Sequence, residues 1–198
     1  METQIVLVRH GQTEWSKSGQ HTGRTDIELT ARGREEAGLV APTLQGWKFA
    51  HVFSSPLQRA HETAELAAIG ETIEVDNNLL EWDYGVFEGR TNDDILAETP
   101  GWSKWDADSI EGGETAGEVG ARVDVAIDHL IEAGGDGPVL VFSHGHFLAI
   151  FIARWLGLNA TDGKRFIIET ATATHLGIKR GDHVIKSLNH RCGNPLSQ

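Results

Sequence analysis

Arg9-His10-Gly11 and Ser143-His144-Gly145 close two short apolar runs, Ile5-Val6-Leu7-Val8 and Val139-Leu140-Val141-Phe142. Runs of this length predict buried strands. Each delivers a histidine and then a glycine at the carboxyl end of its strand. In an open α/β sheet the ligand crevice lies outside those ends, so both imidazoles are expected in one site. Gly11 and Gly145 let the backbone turn sharply and come close to a ligand. A second arginine, Arg59, sits in the first turn of a helix whose start is read from Ser55 as N-cap, Pro56 as first helical residue and Gln58 as the closing member of a capping box. Arg9, His10, Arg59 and His144 together can hold a phosphoryl group. Two guanidinium forks match its oxygens, and the free amides at the start of the Arg59 helix add a positive dipole end. One imidazole inside such a cage can act as nucleophile, because phosphoryl transfer asks chiefly for positioning and charge stabilisation. The departing alkoxide needs a proton, and the loop bearing Glu81 and Asp83 is the source of the carboxyl group that supplies it.

The elements that must position these groups alternate strand and helix. That pattern predicts an α/β fold, a three-layer sandwich whose mostly parallel central sheet is covered by helices on both faces. After the first strand a long polar loop runs from Gln12 to Leu29, followed by a helix from Thr30 to Gln45 that Pro42 should kink or end. Short strands are expected at Ala50–Phe53 and Ile73–Val75, with a charged and aromatic loop from Asn77 to Arg90 beyond them. Thr91 with Asp94 caps a short helix closed by Pro100, and Thr115 with Glu118 caps a longer one whose Val119, Val123, Ile127, Leu130 and Ile131 share one face until Gly134. The strand Val139–Phe142 leads into a helix over 146–156 that is apolar nearly all round. Arg180-Gly181-Asp182-His183 reads as the turn of a terminal hairpin.

Composition narrows the partners. The chain has 198 residues, with 29 acidic against 17 basic side chains and a formal charge of -12. One domain spanning 1–198 is the expectation at this length. The acidic balance repels nucleic acid and anionic membrane surfaces, whereas a few cations gathered in a cleft still suit a small anionic ligand. Cys192 is the only cysteine, so neither an internal disulfide nor a cysteine zinc site is expected. No basic leader precedes the first strand and the longest purely apolar run, Phe147 to Ala153, is too short to cross a bilayer, so a soluble, cytoplasmic protein is expected. His144 and His146 form a His-X-His pair, but no carboxylate ligand accompanies them and no metal or cofactor is expected.

These residues resemble the histidine phosphatase superfamily, the phosphoglycerate mutase-like proteins, over nearly the whole chain. Arg9-His10-Gly11 matches the family's diagnostic motif. Ser54-Ser55-Pro56-Leu57-Gln58-Arg59-Ala60 with Thr63 resembles its second, and Ser143-His144-Gly145 its third. Leu80-Glu81-Trp82-Asp83-Tyr84-Gly85 with Glu88-Gly89 is similar to the segment bearing the proton donor. The resemblance implies a phosphoglycerate mutase-like fold. It implies that His10 attacks phosphorus and becomes phosphohistidine, that Arg9, Arg59 and His144 bind the phosphoryl oxygens, and that Glu81 protonates the leaving oxygen and later activates water. It places Ser16, Thr22, Gly23, Tyr84 and Gly145 in contact with substrate.

Within that superfamily, glycolytic mutases carry Asn where Ser16 stands, and a longer insertion with cations that clamp a carboxylate. Here only some two dozen residues separate Gly89 from Gly113, their charged side chains mostly acidic, with Lys104 the lone cation beyond Arg90. The chain therefore resembles the branch of fungal sedoheptulose-bisphosphatase-like enzymes and actinobacterial broad-specificity acid phosphatases. The expectation is metal-independent hydrolysis of small phosphate monoesters such as sugar phosphates, by a chain that a homo-oligomer would also accommodate. The alternatives are mutase-type phosphoryl transfer and a non-catalytic binder of phosphorylated ligands.

Overall fold

The alternation inside the first strand explains the layering. In β1 (Gln4–Arg9), Ile5 and Leu7 enter one apolar cluster while Val6 and Val8 enter another. A strand buried on both faces needs cover on both sides of its sheet. The first cluster takes Val119 and Val123 from α5 (Ala116–Ala133) and Phe147 and Phe151 from α6 (Gly145–Trp155). The second takes Ala64 and Ala67 from α3 (Gln58–Ala67), and Val40 and Leu44 from the stretch after α2 (Ala31–Gly38). These are the three layers expected. The computed structural model describes residues 3–68, 70–107, 110–135 and 137–191; Cys192 and Asp108 lie outside them.

The six-stranded sheet has the order β3-β2-β4-β1-β5-β6, with β2 at His51–Ser54, β3 at Ile73–Val75, β4 at Val139–Ser143, β5 at Ala173–Lys179 and β6 at Asp182–His190. The first four are parallel, β5 runs antiparallel to β1, and β6 runs antiparallel to β5. From β1 the chain crosses one face to reach β2, and from β4 it crosses the other face through α6 to reach β5. The carboxyl ends of β1 and β4 therefore lie at a topological switch point, where such sheets open a crevice. Arg9 pairs with Ser143 in the β1–β4 register, and the His10 amide donates to the Ser143 carbonyl at 3.0 Å.

Several boundaries differ from the sequence reading. The Thr30 helix ends at Gly38, and Pro42 falls in a separate 3-10 turn, Ala41–Leu44. The polar loop after β1 contains a five-residue helix, α1 (Glu14–Ser18), closed by a Thr13–Ser16 capping box. It buries no residue, so no apolar periodicity marks it. The capping boxes of Thr91, at the start of α4 (Asn92–Glu98), and of Thr115, at the start of α5, form as read. Arg180 and Gly181 both have positive φ, 57° and 89°, the backbone that a two-residue hairpin turn needs.

The start of α3 is corrected. Its N-cap is Leu57, without a side-chain cap, and helix begins at Gln58 rather than Pro56. The Ser55 hydroxyl accepts the Leu57 amide at 3.4 Å, a local bond of the kind expected, and also meets His144 Nε2 at 2.8 Å. Asp26 supplies the missing acceptor: its Oδ1 takes the Gln58 amide at 2.9 Å, while Gln58 Nε2 donates to the Asp26 carbonyl at 2.7 Å.

Candidate active site

The β1 and β4 tips bring His10 and His144 to a ring-centroid separation of 5.3 Å. His10 Nδ1 lies 2.7 Å from the Gly11 carbonyl. A carbonyl only accepts, so Nδ1 carries the proton and Nε2 keeps the lone pair. Burial, with Arg59 and Arg9 nearby, holds the His10 pKa well below the ordinary histidine value. The ring is therefore neutral near pH 7. His144 is fully buried and is neutral for the same reasons, burial first and the charge of Arg59 next. Its Nε2 meets Ser55, and its Nδ1 has no partner among the described residues.

Beside them opens a cavity of about 400 Å³. Arg9, His10, Ser16, Thr22, Glu81, Tyr84 and Gly145 all line it. Arg9 donates to the Ile168 carbonyl at 2.5 Å, leaving its buried Nε without a partner. A Cβ at Gly145 would come within 3.1 Å of the Arg9 guanidinium carbon, so glycine is what allows that approach. Ser16 Oγ accepts the Thr13 amide at 2.9 Å and donates to the Thr13 carbonyl at 3.0 Å, and so serves α1 as well as the cavity wall. Thr22 Oγ1 donates to the Gln20 carbonyl at 3.3 Å.

Arg59, His144 and Gly23 do not line the cavity. Arg59 has no exposed surface; its guanidinium donates to the carbonyls of Thr25 at 3.0 Å, Gly23 at 2.9 Å and Thr22 at 3.4 Å, with Nε unpartnered. Burial lowers its pKa, while Glu81 raises it. Arg59 thus fastens the loop that carries Thr22 and adds positive potential behind His10. Gly23 packs where a Cβ would collide with the Trp82 carbonyl, which makes it a close-packing position rather than a cavity wall.

Of the three carboxylates on the 81–88 segment, only Glu81 reaches the cavity. Its Oε1 accepts the amides of Trp82 at 3.0 Å and Phe147 at 2.8 Å, and its Oε2 accepts that of His146 at 3.1 Å. Two of those amides belong to the first turn of α6, which anchors the carboxylate in place. Asp83 accepts the Gly85 amide and faces Arg24, and Glu88 ties down Arg24 and Thr25. Tyr84 donates or accepts at His146 Nδ1 over 2.6 Å; burial and the nearby Glu81 hold its pKa well above 10.0, so it stays neutral.

Four further residues complete the site without having been singled out for it. His21 stacks on Tyr84 at 4.8 Å; burial, and then Lys104, bring its pKa down to about 4. Lys104 lines the cavity and is buried. Arg122 on α5 braces the Glu81 loop, donating to the carbonyls of Asn78 at 2.9 Å, Leu80 at 2.6 Å and Glu81 at 3.2 Å. Ser55 orients His144. His146, weighed as half of a metal pair, has its Nδ1 on Tyr84, away from the His144–Ser55 bond. Among the described residues no group of three or more His, Cys, Asp or Glu side chains is placed to hold a metal ion, and no helix is long and apolar enough to cross a membrane.

Comparison with known proteins agrees with this geometry. The acid phosphatase of Mycobacterium tuberculosis is 38% identical over 179 residues, covering 89% of this chain and 87% of that protein. The sedoheptulose 1,7-bisphosphatase of Saccharomyces cerevisiae is 35% identical over 185 residues, covering 78% and 68%. A solved structure of a Mycobacterium tuberculosis open reading frame product superposes with a TM-score of 0.89 at 36% identity, covering 96% of this chain and 98% of its own. The sequence profile of the histidine phosphatase superfamily (branch 1) matches residues 5–191, and the chain belongs to that superfamily.

Proposed function

We propose that residues 1–198 act as one histidine phosphatase domain that hydrolyses small phosphate monoesters, sugar phosphates among them, through a phosphohistidine on His10 and without a metal. The observation that carries the reading is the His10 tautomer: a neutral ring whose Nδ1–H is committed to Gly11 and whose Nε2 lone pair belongs to a cavity-lining residue. Nε2 attacks phosphorus, the P–O ester bond breaks, and Glu81 gives its proton to the departing oxygen. Water then attacks the phosphohistidine, Glu81 takes its proton, and the P–N bond breaks to release phosphate. Arg9 faces the phosphoryl oxygens directly, and Arg59 and His144 support them from behind. A cytoplasmic enzyme fits the single cysteine and the acidic surface. Hydrolysis rather than isomerisation fits the lack of a cationic insertion between Gly89 and Gly113.

The test supplies 3-phosphoglycerate with a little 2,3-bisphosphoglycerate, and separately a panel of sugar phosphates, to EDTA-treated protein, following 2-phosphoglycerate and free phosphate. The expected result is phosphate release that survives chelation and exceeds isomerisation. Isomerisation much faster than the best phosphate release overturns the hydrolytic reading. Loss of activity in EDTA that zinc or magnesium restores overturns the metal-free mechanism.

A further inference from the structure

Lys104 is the one lysine or arginine between Arg90 and Arg122, in a segment otherwise acidic, and yet it is only 6% exposed. Its side chain lines the cavity, and among the described residues it has no carboxylate at ion-pair distance and no hydrogen bond. Lys164, another cation of that wall, is paired with Asp106 at 3.3 Å. Lys104 is also firmly placed. Its neighbour Trp105 packs edge-on against Trp82 at 5.2 Å, and Gly163 leaves room for the Trp105 ring, which a Cβ there would meet at 2.9 Å. The stem is thus buried while the ammonium stands at the cavity wall without a protein partner among the described residues, placed to meet an anion that enters.

The cavity's charges fall into two zones. Arg59 and Arg9 are the cations whose charge weighs on His10. Lys104 lies on the other side: the ring of its neighbour Trp105 is 5.6 Å from that of His146, whose amide donates to Glu81, and the charge of Lys104 weighs on His21 and His146, with Arg9 a smaller influence on His146. Lys104 therefore stands on the side of the carboxyl group that protonates the leaving oxygen, which is where the rest of the ester lies. A phosphoryl dianion is matched by Arg9 in the cavity and by the charge of Arg59 behind it. His10, His21 and His146 are neutral near pH 7 and so is Tyr84, so with Glu81 holding the proton it gives to the leaving oxygen, Lys104 is a surplus positive charge facing the leaving group.

We propose that Lys104 is a specificity residue that pairs with a second anionic group, carboxylate or phosphate, on the leaving portion of the substrate. The proposal rests on the phosphate-ester reading above and narrows it to esters with two anionic ends. Burial brings the Lys104 pKa down to about 8, which leaves it charged near pH 7.

Two matched pairs of ligands test this. 3-Phosphoglycerate and glycerol 3-phosphate differ only in carboxylate against hydroxymethyl; fructose 1,6-bisphosphate and fructose 6-phosphate differ only in the second phosphate. Affinities are measured by calorimetry on the His10→Ala chain, with Lys104 intact and as Lys104→Met or Lys104→Arg, and kcat/KM is measured with His10 present. At least one pair should favour its doubly anionic member by about ten-fold or more. Lys104→Met should bring that ratio to within about three-fold of unity, and Lys104→Arg should retain most of it. The pair that responds tells carboxylate from phosphate. The subsite is overturned where neither pair discriminates, or where discrimination survives Lys104→Met. Lys104→Gln serves in place of Lys104→Met should the latter not fold, and a melting curve checks each variant. The calorimetry needs no turnover: discrimination without phosphate release sinks the phosphatase reading and keeps the subsite, and phosphate release without discrimination does the opposite.

Discussion

Glu81 and His10 carry complementary duties, and their surroundings differ accordingly. His10 is stripped of its proton by burial and two arginines, as an attacking lone pair requires. Glu81 is gripped by three backbone amides, so its carboxyl group cannot swing away from the leaving oxygen. Replacing it with glutamine keeps the shape and removes the transferable proton. Glu81→Gln should lower kcat by about 100-fold or more on alkyl phosphates and by less than about ten-fold on nitrophenyl phosphate, whose leaving group needs no protonation. Steady-state rates on both substrates check this. Equal losses would assign the acid elsewhere, and Asp83, which faces Arg24 rather than the cavity, would then have to move.

Helix α5 holds the acid in place from a distance. Arg122 binds three successive parts of the Glu81 loop through their carbonyls and pairs with Glu114, whose carboxylate also accepts the Asp83 amide at 2.9 Å. Arg122→Met should cost about 2–4 kcal/mol, because it leaves half-buried acceptors and a carboxylate without a donor. It should also reproduce the leaving-group signature of Glu81→Gln, which a merely destabilised enzyme would not. Urea denaturation and the two-substrate comparison read these separately. The strands, the long helices and their capping boxes were legible in the sequence because each is written within a few neighbouring residues: alternation in β1, Thr115 with Glu118 in α5. The role of Arg122 was not, since the carbonyls it holds lie more than 40 residues away along the chain. The start of α3 was misread for the same reason. Ser55 does accept the Leu57 amide, but the Gln58 amide goes to Asp26 and the serine hydroxyl is shared with His144. Arg59 was read as a phosphate fork from its place in the motif; that its two terminal nitrogens also reach the carbonyls of Thr22, Gly23 and Thr25 was not legible. Lys104 gave no local sign of burial.

At the scale of the whole molecule, one parallel pairing at the switch point between β1 and β4 assembles the site, and the burial that makes it work carries a pH dependence. His10, His21, His144 and His146 all have pKa values below 6.5 in the folded chain, with burial the first cause in each. The unfolded chain binds those protons near pH 6.5 and the folded chain resists them. The stabilisation is complete above pH 6.5 and is lost as pH falls toward and through 4. Melting temperature should therefore drop steeply across that window, and replacing His21, the one with a value near 4, by Phe or Gln should flatten the slope. A melting temperature that is level from pH 7 to 4 would contradict the buried neutral histidines. The account stands or falls, however, on the covalent step. Enzyme mixed with labelled phosphate ester and quenched within milliseconds should yield an acid-labile, base-stable phosphoryl group on the peptide containing His10, and His10→Ala should yield none while losing turnover. An enzyme that turns over with no such adduct, or an alanine variant that keeps most of its rate, would contradict it.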